Sequence, residues 1–168
     1  MIETTTITTP VGTVHVAVRD GRLCVLELTS VARFEARLAR CGEPVTPLHS
    51  EAAHAIVRAL HAYFAGDVAA LDGIDVAPLG GTVFQRRVWQ ALRAVPAGQT
   101  ISYKTLARRI QAPRAIRAVG AANGANPVPI VLPCHRVIGA DGSLTGYGGG
   151  LERKRWLLHH EGVALPVR

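Results

Sequence analysis

With 168 residues, 48% of them hydrophobic and 18% charged, the chain can bury one or two small cores, which argues against a disordered protein. Its three cysteines, Cys24, Cys41 and Cys134, make an odd count with no Cys-x-x-Cys pair, which argues against a disulfide framework and suits reduced thiols. The formal net charge of +7 is uneven: residues 1–80 carry −3, residues 81–168 carry +10, and from Gly81 to Ala140 there are nine basic residues and no acid. An acid-free stretch of this length favours a polyanion over a merely solvated face, because each Lys or Arg on a phosphate releases a condensed counterion. Met1-Ile2-Glu3-Thr4-Thr5-Thr6 has no basic segment leading into an apolar one, and no apolar run approaches membrane-spanning length. A cytoplasmic protein without a signal peptide or membrane contact is expected.

The first thirty residues alternate in a way that predicts β structure. Thr6-Ile7-Thr8 and Val14-His15-Val16-Ala17-Val18 read as strands around a turn at Pro10-Val11-Gly12. Asp20-Gly21 is a hairpin signal leading into Leu23-Cys24-Val25-Leu26-Glu27-Leu28. Helical periodicity follows from Arg33 to Arg40 and from Glu51 to Phe64, where Ala52, Ile56, Ala59, Leu60 and Tyr63 make one apolar stripe. Gly66 to Pro78 reads as an irregular connection, and a domain boundary is placed near Leu79-Gly80-Gly81. The expected class is α+β. Residues 1–80 form a small antiparallel β-sheet with helices, acting as a scaffold, and residues 81–168 form a mostly helical, winged-helix-like domain.

In the second half, Phe84, Val88, Ala91, Leu92 and Val95 share a helical face that Pro96-Ala97-Gly98 terminates. Ser102 is an N-cap for a short helix to Ile110, and Gln111-Ala112 makes a tight turn. Pro113 can open the next helix, from Arg114 to about Asn123, where its missing N–H costs nothing. Two short basic helices joined so tightly form a helix-turn-helix. On the second helix Arg114, Arg117, Ala121 and Gly124 share one side, while Ala115, Val119 and Ala122, with Ile116 beside them, turn inward. A face of two guanidiniums followed by small residues lets the helix axis approach a nucleic acid closely. It lacks the long polar side chains that read base edges in the major groove, so weak sequence specificity is expected.

Pro133-Cys134-His135-Arg136-Val137 is the segment with the clearest chemistry. It follows the apolar Val128-Pro129-Ile130-Val131-Leu132 and precedes the turn-like Gly139-Ala140-Asp141-Gly142, which predicts Cys134 at the end of a buried segment. A thiol beside an imidazole and a guanidinium has the ingredients of a low-pKa nucleophile. Bland readings stand next to this one. Adjacency of His135 to Cys134 proves little, because neighbours in a strand point apart. Tyr103 alone reads as a helix-packing aromatic, Glu161 equally as a solvated helix-end carboxylate, and Arg117 as a surface contact to a phosphate. Trp89 and Trp156 read as core aromatics, Cys24 as a small buried hydrophobe and Cys41 as an incidental thiol. His49, His54, His61, His159 and His160 read as surface or packing residues, so no metal and no cofactor is proposed.

Five ordered blocks add a family resemblance: Phe84-Gln85-Arg86-Arg87-Val88-Trp89, Ser102-Tyr103-Lys104-Thr105-Leu106-Ala107, Arg117-Ala118-Val119-Gly120, the Pro133 to Val137 segment, and Trp156-Leu157-Leu158-His159-His160-Glu161-Gly162. The fourth is flanked by Asn126-Pro127-Val128-Pro129-Ile130 and Thr145-Gly146-Tyr147-Gly148-Gly149-Gly150. From Phe84 to Gly162 the chain closely resembles the O6-alkylguanine-DNA alkyltransferases, also called methylated-DNA–protein-cysteine methyltransferases. Residues 1–80 match only in outline.

The resemblance implies a single-turnover transfer of an alkyl group from O6-alkylguanine in double-stranded DNA to Cys134, with O4-alkylthymine left open as a second substrate. It implies that His135 activates the thiol through a water, that Glu161 orients His135, and that Asn126 braces the active-site turn. Tyr103 would donate to the base ring, Val137 would offer backbone contacts to the base edge, and the Tyr147-Gly148-Gly149 loop would close over the alkylated oxygen. The second helix would lie in the minor groove with Arg117 taking the space of the extruded nucleotide. Ser102, Tyr103, Arg114, Ala115, Ala118, Gly120 and Ala121 would make up the rest of the DNA face. Neither the extra N-terminal regulatory module of some relatives nor a zinc module is expected, the latter because no cysteine cluster is present. A monomer in solution is expected, with cooperative assembly on DNA left open.

Three rivals are weighed. A non-catalytic module that binds alkyl lesions would lack the nucleophile, and Cys134 is present. A plain helix-turn-helix regulator would not need the reactive motif. A cysteine hydrolase would need a separate distant His/Asn framework, and none stands out.

Overall fold

The computed structural model describes residues 1–165, so the last three positions of the expected 81–168 domain lie outside the described residues. The chain divides into two compact units, Met1–Gly80 and the remainder from Gly81. Among the described residues no helix is long and apolar enough to cross a membrane.

The first unit is built on three strands, β1 (Ile2–Thr9) and β2 (Gly12–Arg19), both rich in β-branched residues, and β3 (Arg22–Glu27), which pair antiparallel in sequence. Asp20 and Gly21 both adopt positive φ, 52° and 72°, as a two-residue hairpin loop with the twist of its strands requires. Helix α1 (Val31–Ala39) follows, capped by Ser30, and then a short β4 (Val45–Pro47) and helix α2 (Glu51–Phe64), capped by Ser50. The sheet runs β3-β2-β1-β4.

Two expectations need correction here. The sheet is mixed and not purely antiparallel, because β4 pairs parallel to β1, with Ile2 opposite Val45. Three residues ending in proline carry no strand signal of their own; they pair only because α1 returns the chain to the free edge of β1. The buried stripe of α2 is Ala53, Ile56, Leu60 and Tyr63, and Ala52 is exposed. Adjacent alanines give periodicity nothing with which to choose between them. The core of the unit gathers Ile2, Ala17, Cys24, Val25, Phe34, Leu38 and Leu79, with Cys41 packed against it.

The second unit opens with α3 (Val83–Leu92), started by a reciprocal Thr82/Gln85 capping box. Gly81 precedes it at φ 93°, where a Cβ would come within 2.5 Å of the Trp89 ring, so only glycine fits. β5 (Ile101–Ser102) leads into α4 (Tyr103–Arg109), and α5 (Ile116–Gly124) completes the helix-turn-helix. Trp89, buried as expected, donates Nε1–H to the Ala122 carbonyl at 2.7 Å and so pins α5 to α3. Trp156 is not a core residue: it is half-buried and stacks on His160 with ring centroids 4.6 Å apart. β6 (Val137–Ile138) pairs parallel to β5, and α6 (Leu151–His160) closes the unit.

Pro113 does not open α5. Ala115 N–H donates to the Ala112 carbonyl at 2.9 Å, which makes Pro113 the second residue of a β-turn. Gln111 sits at φ 59° just before it, and the helix starts three residues after Pro113. Arg114 and Ala115 therefore precede the helix, and Ile116, expected near the packing side, is 40% exposed.

Candidate active site

Cys134 does not sit on a strand. It begins a 3₁₀ turn, Cys134–Arg136, that follows an irregular approach in which Leu132 N–H donates to the Val128 carbonyl at 2.9 Å. Asn126 braces that approach from inside: its Nδ2 donates to the Leu132 carbonyl at 2.7 Å, and its Oδ1 accepts from Val128 N–H at 2.9 Å. Ile130 is held at φ 75°, a conformation β-branched residues avoid, and it is buried. Parallel pairing of Ile101 with Val137 and Ser102 with Ile138 then joins the start of α4 to the end of the turn. Tyr103 and Cys134 are brought to one site from thirty-one positions apart in this way.

The thiol is 4% exposed. Burial pushes its pKa up to about 11, against the Asn126 side chain and the Lys154 charge, both of which favour the thiolate. The resting side chain is therefore a thiol and not the low-pKa thiolate that the motif suggests. His135, fully buried, turns Nε2 toward both Glu161 oxygens, at 3.0 and 2.9 Å. Its Nδ1 is buried without a hydrogen-bond partner.

Glu161 is the hub of this arrangement. Arg136 grips it in a fork, Nε to Oε1 and Nη2 to Oε2, each at 2.9 Å, while Nη1 donates to the Val95 carbonyl at 2.6 Å. Burial opposes ionisation of Glu161, but the Arg136 and His135 hydrogen bonds overcome it and hold the carboxyl well below the usual range. Burial also lowers the His135 pKa, against the pull of Glu161. A neutral imidazole that donates Nε2–H to a carboxylate must present Nδ1 as a lone pair, which is the form a base requires.

α6 delivers two charges to this site. Glu161 caps its C-terminus, and Lys154, seven residues earlier on the same face, is fully buried. Lys154 Nζ donates to the carbonyls of Val137 at 2.6 Å and Thr145 at 3.0 Å. Burial pushes its pKa down to about 8, against the pull of Cys134. Tyr103 donates its hydroxyl to the carbonyls of Thr145 at 3.0 Å and Gly146 at 3.3 Å, and burial raises its pKa. The Thr145 carbonyl is thus shared by Tyr103 and Lys154, which ties the loop to the site from two sides. Farther along that loop, a side chain on Gly148 would meet the Gly124 carbonyl at 3.6 Å, and Gly149 is buried.

Cys134, His135, Glu161, Asn126, Tyr103 and Val137 therefore converge. The α5 residues form a separate outward face: Arg117, Ala118 and Ala121 are exposed, while Gly120 turns toward the Tyr103 ring, where a Cβ would make ordinary contact at 3.9 Å. Arg114 is exposed in the preceding turn, and Ala115 is half-buried as the residue before the helix. The Ser102 hydroxyl is occupied in capping α4, accepting from Thr105 N–H at 3.0 Å. Among the described residues no group of three His, Cys, Asp or Glu side chains is placed to hold a metal ion.

Three buried residues take places the sequence reading did not give them. Arg136, read there only as a guanidinium beside the thiol, grips Glu161 instead. Lys154 stands with Leu157, Leu158 and Glu161 at helical spacing, so a lysine within an apolar stripe was the available signal. Asn123 on α5 is 2% exposed and donates Nδ2–H to the Cys134 carbonyl at 3.3 Å; an amide among alanines and glycines gave no signal.

Residues 83–163 match the family model for the 6-O-methylguanine DNA methyltransferase DNA-binding domain. A methylated-DNA–protein-cysteine methyltransferase from Salmonella typhimurium is 62% identical over 103 residues, a stretch covering 61% of this chain and 60% of that protein. The chain thus spans about three fifths of the length of that relative in the match. Another, from Mycolicibacterium paratuberculosis, is 48% identical over 167 residues, 99% of this chain and 96% of the relative. Among solved structures, Mycobacterium tuberculosis O6-methylguanine methyltransferase superposes with a TM-score of 0.77 at 41% identity, covering 100% of this chain and 97% of that one. Mycobacterium tuberculosis OGT in complex with DNA gives a TM-score of 0.77 at 43% identity over 96% of this chain and 94% of that chain. Identity sustained along nearly the whole of both chains places this protein in the methylated-DNA–protein-cysteine methyltransferase family.

Proposed function

We propose that this protein repairs DNA by direct reversal, moving the alkyl group of O6-alkylguanine in double-stranded DNA irreversibly to Cys134. The observation that carries the reading is the buried Cys134 thiol beside a His135 whose tautomer is set by the Glu161–Arg136 pair. A thiol this deep cannot reach an alkyl group inside a duplex, so the nucleotide must leave the stack. The exposed Arg117, on a helix face of small residues, suits a role in filling the space it leaves.

His135 Nδ1 takes the thiol proton through a water, and the thiolate attacks the alkyl carbon. An S–C bond forms, the C–O6 bond breaks, and its electron pair passes into the guanine ring. Tyr103, turning its hydroxyl from the Thr145 carbonyl to the ring, stabilises that charge as it develops. Asn126 and Lys154 favour the thiolate. Nothing in this scheme hydrolyses the thioether, so one molecule performs one transfer. The free thiols and basic second unit suit a cytoplasmic protein acting on DNA.

Mixing the protein with a duplex carrying one O6-methylguanine and mapping its peptides by mass tests the reading. One methyl group on the Cys134 peptide, saturating at one per protein and lost in Cys134→Ala, is the expected result. Tight lesion binding with an unmodified thiol would convert the reading to a lesion-binding module.

A further inference from the structure

Most polar groups around Cys134 are engaged. Asn123 is engaged only by half. Its amide is 2% exposed on the inner side of α5. Nδ2 donates to the Cys134 carbonyl at 3.3 Å, which settles the orientation of the amide, since turning it over would press Oδ1 against another carbonyl oxygen. The amide also lies against the Tyr103 hydroxyl, where it favours the phenolate. Oδ1 is buried and has no hydrogen-bond partner. A buried acceptor without a donor is destabilising, and its retention beside a nucleophile points to a donor brought by the ligand.

We propose that Asn123 is a specificity-determining residue whose Oδ1 accepts a hydrogen bond from the exocyclic 2-amino group of the extruded O6-alkylguanine. The inference rests on the alkyl-transfer reading above and adds a residue to it. Alkylation at O6 removes the proton from guanine N1, so the 2-amino group supplies the only N–H donors left on the base. It carries two, enough for Asn123 Oδ1 and one backbone carbonyl of the Cys134 turn. O4-alkylthymine has no N–H donor on its base. Bound in the same place, it would leave Oδ1 unpaired, and sites built around a buried polar partner reject most strongly the analogue that lacks it.

The test compares single-turnover transfer from O6-methylguanine and from O6-methylhypoxanthine, the same base without the 2-amino group. Each is placed opposite an abasic site so that pairing strength does not enter. The wild-type protein should react about tenfold or more slowly with the hypoxanthine, and in Asn123→Leu that ratio should shrink to about threefold or less. The ratio is insensitive to partial loss of activity, because both substrates meet the same thiol. If Asn123→Leu does not fold, as judged by circular dichroism, Asn123→Ser is read in the same way. A wild-type ratio near one, or a ratio unchanged in the variant, overturns the role of Asn123 while leaving alkyl transfer intact. No transfer from O6-methylguanine by the wild-type protein would overturn both.

Discussion

Lys154 donates to the backbone carbonyl of Val137 from a position with no solvent exposure, 2.6 Å away. A buried ammonium at that point does two things. It closes the hydrogen-bonding capacity of the segment after the nucleophile, and it puts a positive charge where it favours the Cys134 thiolate. Replacing it with methionine keeps the apolar stem and removes both. Hydrogen bonds to charged groups contribute about 1.5–3 kcal/mol, so single-turnover transfer by Lys154→Met should fall about 10- to 100-fold. A rate within twofold of wild type would show that the charge plays no part in activating the thiol.

Glu161 is shared by Arg136 and His135 in a buried network. Removing the negative member leaves a guanidinium buried without its counter-charge, which in comparable sites costs about 3–5 kcal/mol. Glu161→Gln should lower the unfolding free energy of the second unit, read from urea denaturation, by that amount. It should also slow transfer, since His135 loses the carboxylate charge that fixes its tautomer and favours its protonated form. Unchanged stability with slowed transfer would separate the two roles.

Arg117 stands outward on α5 and touches no part of the thiol network. Extruding a nucleotide costs a few kcal/mol, part of which an inserted guanidinium offsets. In Arg117→Ala, transfer from duplex DNA should therefore drop at least about tenfold further than reaction with the free alkylated base. The slope of log affinity against log salt should also decrease by about one. Equal losses on both substrates would make Arg117 a residue of the reacting site instead.

Glu3 performs a purely structural task in the first unit. Its carboxylate accepts from Ser50 N–H at 2.7 Å and His49 N–H at 2.8 Å, sitting at the start of α2 where the helix dipole favours negative charge. Burial opposes ionisation, but the Ser50 side chain together with these backbone hydrogen bonds outweighs it and lowers the pKa to about 2. Because the folded pKa lies below the unfolded one, this stabilisation is fully present above about pH 4.5 and is lost as the pH falls toward 2. Glu3→Gln should cost about 1–3 kcal/mol at pH 7 and flatten the acid side of the stability profile. Thermal melts of both proteins at pH 7 and pH 3 check this, and a constant difference between them would contradict it.

Much was legible in the sequence because it rests on local chemistry. Asp20-Gly21 is a turn wherever it flanks strand-forming residues, Ser102 caps whatever helix follows it, and the Glu51 to Phe64 periodicity gives α2 to the residue. The helix-turn-helix and the α+β class followed from such signals. The motif around Cys134 marked the chemistry through residue types and order alone.

Other features belong to no local stretch. β4 pairs because α1 carries it back to β1, and Pro113 enters a β-turn because Ala115 finds the Ala112 carbonyl before a helical partner. Sequence adjacency of Cys134, His135 and Arg136 could not show that a 3₁₀ turn spreads them, or that Arg136 serves Glu161 while His135 Nδ1 stays unpaired. Sequence by itself determined the first three strands, the longer helices of the first unit and α3, and the motif that marks Cys134, since these depend on neighbours a few residues apart. Only the tertiary structure decided which charges are buried together and which polar atoms lack partners, because burial and hydrogen-bond satisfaction depend on what distant segments bring to the same place.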